Sequence, residues 1–287
     1  VKKIFLHLLV FFVAAQAVAL FVGQAFIAQQ LSLLEHPEDP GNALTLMFFV
    51  LVSAGALLLI LKFYSGALFF QAMEFGLIMF SGFMALSIVL DSTPALALGL
   101  LVAIARFLYP PVRSYLLLLS SAVAGALLGA SLGAIPAIAF AVLLSVYDIL
   151  AVFYTKHMIA LAQGLNSRGT SFSIQITAQA QAKTSVKAGK QGKAGKHSTA
   201  VQAKKGQGTE SIELGTGDIV IPAMVIVSAG KLSFLQASAA LAGSIAGMLL
   251  LFYFMSKRKG YWPALPPIVL GALAALAAAT LIVKPFP

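Results

Sequence analysis

The chain contains no cysteine, which excludes a disulfide framework and any thiolate-bound metal centre. Its four histidines, His7, His36, His157 and His197, are scattered with no ligand spacing, so a metal site built on imidazole is not expected either. Charge is nearly as scarce. Asp, Glu, Lys and Arg together make up 10% of the 287 residues, where a soluble domain has about a quarter. Only nine residues are acidic, so a carboxylate inside an apolar stretch carries information.

What fills the chain instead is hydrocarbon: 60% of the residues are hydrophobic and the mean hydropathy is +0.96. Apolar runs able to cross a hydrocarbon core of about 30 Å recur along the whole length. Nine spans are expected, at 4–30, 43–62, 66–90, 94–108, 114–131, 135–156, 214–231, 235–256 and 264–284. Lys2 and Lys3 could open a signal peptide, but the apolar run that follows to Ala28 is too long for one and reads as the first span. The fifth and sixth spans are separated only by a turn near Gly133 to Pro136. Arg106, near the end of the short fourth span, is expected to snorkel to the interface. The fold class is therefore an all-α integral membrane protein in one polytopic domain, 1–287: N-terminal helices to about 156, a loop over 163–213, then three C-terminal helices.

Charge supports this span count. With a cytoplasmic N-terminus, nine spans place all 19 basic residues except Lys231 and Lys284 inside, and put Glu35, Glu38, Asp39 and Asp91 outside. The segment 163–213 is rich in Ala, Gly, Lys, Gln, Ser and Thr and cannot bury enough apolar surface to fold alone, so it is expected to be a flexible cytoplasmic loop. It lacks the interleaved aromatics of a nucleic-acid binder. Near its two ends, Phe172, Ile174 and Ile176, and Ile212 and Leu214, alternate with polar residues, which is the period of short, edge-exposing strands.

Three acids fall inside spans: Glu74, Asp148 and Asp218. An intramembrane carboxylate is costly and is a functional candidate by default. Asp148 lies eight residues before Lys156, hence about 12 Å from the cytoplasmic face at about 1.5 Å per residue. Asp218 lies thirteen residues before the outer Lys231, about 20 Å, which leaves about 10 Å to the cytoplasmic face. The two therefore sit at matching depth on consecutive antiparallel helices. A close carboxyl pair holds one proton, so its charged member can activate water while its neutral member protonates a carbonyl oxygen, with no cofactor. Glu74 has no motif around it and reads as a hydrogen-bonded or water-exposed carboxyl.

Asp218 follows Gly215-Thr216-Gly217, where the glycines are expected to permit close helix approach. Asp148 follows Tyr147, and Pro263-Ala264-Leu265 precede Pro266 and Pro267, whose rings are expected to disrupt helical bonding. Together and in order these elements resemble the presenilin and signal peptide peptidase family of intramembrane aspartyl proteases, and the compact loops suggest a microbial member. The family carries Tyr-Asp on the sixth of nine helices, Gly-x-Gly-Asp on the seventh and Pro-Ala-Leu at the ninth. The resemblance implies that Asp148 and Asp218 are the catalytic aspartates. It further implies that Tyr147, Gly215, Thr216, Gly217, Pro263, Ala264 and Leu265 shape the active site and hold substrate. Thr216 stands where presenilins and signal peptide peptidases usually have leucine. The expected substrates are transmembrane proteins or peptides, and the expected setting is the cell membrane of a prokaryote, in contact with lipid and without obligatory partner subunits. The rival reading is a proton- or ion-coupled transporter using the same carboxylates. No repeat of the 135–156 and 214–231 pattern in the first half supports it.

Overall fold

The structure, a computed structural model, describes residues 2–64, 66–109, 112–155, 173–177, 211–257 and 262–282. Among them are nine helices: α1 (Lys2–Ala28), α2 (Gly41–Phe63), α3 (Leu68–Leu86), α4 (Ser92–Leu108), α5 (Arg113–Ser131), α6 (Ala134–Leu150), α7 (Gly217–Gly230), α8 (Phe234–Lys257) and α9 (Leu265–Ile282). Each matches one expected span. Seven are long and apolar enough to cross a membrane, while α4 and α7 fall short. The helical class has one addition, an antiparallel pair of strands, β1 (Ser173–Thr177) and β2 (Ser211–Gly215), in register Ile174 to Leu214 and Ile176 to Ile212. Both strands lie where the alternation placed them, but they pair with each other on one edge. The rest of the expected loop over 163–213 lies outside the described residues.

The molecule is built around α7. Every residue of α7 from Ile221 to Ala229 is buried, as is Ile219, and α7 packs against α1, α5, α6, α8 and α9. Lipid supplies no hydrophobic drive between apolar helices, so close van der Waals fit must hold them. Two glycines on α5 provide that fit. A Cβ at Gly125 would lie 2.6 Å from the Val220 carbonyl oxygen, and one at Gly129 2.6 Å from that of Met224. Gly243 and Gly247 of α8 meet the Gly271 and Pro267 backbone of α9 in the same way. The close approach expected at the Gly-x-Gly-Asp glycines is thus found elsewhere: nothing lies within 4 Å of a Cβ built at Gly217. The pairs 125/129 and 243/247 have the small-xxx-small spacing that marks such contacts in apolar helices.

α1 buries Leu8, Phe12, Ala15, Ala19, Val22 and Phe26, a stripe at alternating spacings of three and four that follows one helix face. In α2, by contrast, only Ala43 is buried, and its main neighbour is α6. The turn between α5 and α6 is pinned from outside, because the Gly133 N–H donates to the Pro37 carbonyl at 2.8 Å. Pro136 then falls in the first turn of α6, where no helical donor is needed.

Arg106 does not snorkel. It is buried, and its Nε and Nη2 donate to Glu74 Oε1 and Oε2 at 2.9 and 2.7 Å. Arg113, the first residue of α5, adds a second fork at 2.7 and 2.9 Å. Glu74 is a hydrogen-bonded carboxyl that joins α3, α4 and α5. The reason Arg106 turns inward is the carboxylate one helix away: a buried charge is stabilised when paired and bonded at both ends.

Candidate active site

α6 carries Asp148 two residues before its regular winding ends; from Ala151 to Thr155 the helix widens into a π turn. α7 carries Asp218 in its first turn, just after the Thr216 N-cap. Each carboxylate is met by one backbone donor. The Gly215 N–H donates to Asp218 Oδ2 at 3.1 Å, a side chain reaching back three residues as in a capping box. The Leu265 N–H donates to Asp148 Oδ2 at 3.3 Å.

The second contact follows from the prolines. α9 begins at Leu265, so Pro266 and Pro267 occupy its first turn rather than breaking a helix, and neither has an N–H to offer. Of the first three residues of α9, only Leu265 has an amide hydrogen, and that hydrogen is turned to Asp148. Residues 262–264 ahead of it are non-helical, as expected, with Trp262 stacked on Phe254 at a ring separation of 6.1 Å. The N-terminal ends of α7 and α9 thus converge on the pair, and both ends carry partial positive charge.

Asp148 and Asp218 line one cavity of about 740 Å³, near enough for their charges to interact. Its walls come from α2, α3, α5, α6, α7 and Leu265, with a mainly apolar lining that includes Leu46, Phe49, Phe140 and Leu144. Tyr147, Thr216, Gly217 and Leu265 share this cavity. Gly215 lies beside it and holds Asp218. Pro263 lines a separate apolar cavity of about 670 Å³ between α6, α8 and α9, and Ala264 packs against the core around α1. Ser53 and Ser121 add hydroxyls to the wall of the aspartate cavity. No motif marked these serines, since a lone serine in an apolar helix commonly bonds to its own backbone, as Ser121 does to the Leu117 carbonyl. Among the described residues no group of three or more His, Cys, Asp or Glu could hold a metal ion.

Over residues 9–284 the sequence matches the family of signal-peptide peptidase and presenilin aspartyl proteases. The chain belongs to that family. Two solved structures of presenilin family intramembrane aspartate proteases, in different crystal forms, share the fold. One has a TM-score of 0.67 at 23% identity, with 97% of this chain and 99% of that one covered. The other has a TM-score of 0.65 at 25% identity, with 97% and 98% covered. No curated protein matches. This presenilin-family chain is a multi-pass membrane protein and an intramembrane aspartic endopeptidase. The transporter reading has no support in the family or in the fold.

Proposed function

We propose that Asp148 and Asp218 are the catalytic dyad of this protease and that it hydrolyses peptide bonds within transmembrane segments. The observation that carries the proposal is the convergence of both carboxylates, from two helices and seventy residues apart in the chain, on one cavity inside the bundle. Two carboxyls that meet in such a cavity, within a few Å of each other, share a single proton. The charged member takes a proton from water as that water attacks the scissile carbonyl, and the neutral member donates its proton to the carbonyl oxygen. Collapse of the tetrahedral intermediate breaks the C–N bond, and the leaving amine receives the proton taken from water. The backbone donors at Gly215 and Leu265 fix the orientation of each carboxylate while leaving its other oxygen available for this exchange.

A substrate helix must be unwound before one of its carbonyls can reach the pair, and each freed backbone group then needs a partner inside the membrane. β2 runs directly into the Asp218 turn, so an extended substrate segment pairs with that hairpin as an added strand. The loosely packed α2 forms the wall through which it arrives. The N-terminus and the hairpin lie on the cytoplasmic side in this reading.

The test is cleavage of a single-span substrate by the purified chain alone, in lipid vesicles, against Asp148→Asn and Asp218→Asn. Both variants are expected to fold and insert yet lose activity to background, since an amide can neither accept the water proton nor serve as the charged partner. Substantial turnover by either one would sink the dyad.

A further inference from the structure

Gln16 sits midway along α1 and is 0% exposed, in a helix whose other fully buried side chains are apolar. Its Nε2 donates to the carbonyl oxygen of Ile219, at 3.2 Å and across 203 positions of sequence. Its Oε1 is buried without a hydrogen-bond partner. A leucine of similar size would fill the site without that unmet acceptor, so packing alone does not account for the amide.

The account lies in α7. Pro222 has no N–H, so the Asp218 carbonyl lacks the donor that a helix normally supplies four residues on, and the proline ring crowds the same carbonyl. The turn that carries Asp218 is therefore tied to the rest of its own helix more weakly than an ordinary turn. Within hydrocarbon a turn loosened by proline is held by groups from neighbouring helices. Gln16 is such a group. Ile219 points into the core beside α1, whereas Asp218, Val220 and Ile221 line the cavity. The glutamine grips the back of the turn whose front presents the carboxylate.

We propose that Gln16 is a positioning residue that sets the placement of Asp218 relative to Asp148 by holding the turn that Pro222 loosens. The role rests on the dyad reading and goes beyond it, because it assigns part of the site's geometry to the first helix. It makes two linked claims: the amide matters for turnover, and it matters because of Pro222.

The experiment compares Gln16→Met in the native and the Pro222→Ala backgrounds, using the purified full chain, a single-span substrate and Asp218→Asn as control. Methionine keeps the length and volume but cannot donate. In the native background kcat is expected to fall about tenfold with KM changed by less than about twofold, the pattern of a misplaced catalytic group and not of lost substrate contacts. With Pro222→Ala, the helix supplies its own N–H, and the same Gln16→Met change is expected to cost less than about twofold in kcat. An equal loss in both backgrounds, native kcat in Gln16→Met, or failure of Gln16→Met to fold in both backgrounds would each overturn the proposal. Cleavage by Asp218→Asn would remove the dyad and this role with it.

Discussion

At Glu74 two guanidiniums share one carboxylate that is 1% exposed. Four charge-assisted bonds at 2.7 to 2.9 Å tie three helices together at that point. Such a cluster is held by completeness: each bond offsets part of the desolvation of the charges, and removing the single anion leaves a buried Arg106 facing a partly buried Arg113 with no counter-charge. Glu74→Gln is therefore expected to destabilise the fold by about 3–5 kcal/mol. The Glu74 side chain is not among the groups lining the aspartate cavity, so the chemistry of molecules that still fold should change little. Thermal unfolding in detergent, paired with initial cleavage rates, checks both parts. An unchanged midpoint would mean that the cluster contributes nothing to stability.

Among the elements, the β1–β2 hairpin gives the sharpest test of how substrate is held. Backbone, not side chain, does the pairing in a strand. Ile212→Val should leave cleavage close to normal, while Ile212→Pro, which removes an N–H and fixes the backbone, should lower the initial rate severely. Equal rates for the two would rule out strand pairing at that position. These strands are legible from alternation, and the nine helices among the described residues from their long apolar runs, because a hydrocarbon solvent leaves a chain few ways to satisfy its backbone. The expectation that Asp148 and Asp218 lie at matching depth follows from helical rise. What the pattern conceals is pairing between helices. Arg106 reads as an interfacial cation because its partner, Glu74, is 32 residues away on another helix. Gly125 and Gly129, about one helical turn apart, look like ordinary small residues until α7 is laid against them. Gln16 is visible as a polar residue in an apolar span, yet its meaning depends on Pro222, which only the folded arrangement brings to the same turn.

Over the whole molecule, the shortness of α4 meets the fixed length of its surroundings. α4 has 17 residues, about 26 Å of helix against a hydrocarbon core of about 30 Å. Its outer face, with Leu96, Leu98, Leu100, Leu101 and Ile104, is exposed. A short helix with a free terminal arginine could make up the difference by extending the side chain, but Arg106 is committed to Glu74. The lipid is expected to adapt instead, thinning around the α3–α4 side at a cost of a fraction of a kcal/mol per Å. Cleavage rates in phosphatidylcholine vesicles should accordingly pass through a maximum at shorter acyl chains and decline in long-chain lipid; a rate indifferent to chain length would count against this. A protease so built should not treat all membranes of a cell alike. It is expected to work fastest where the bilayer is already thin, so that its choice of substrate would be set partly by which patch of lipid a target protein inhabits, before any residue of that target is read.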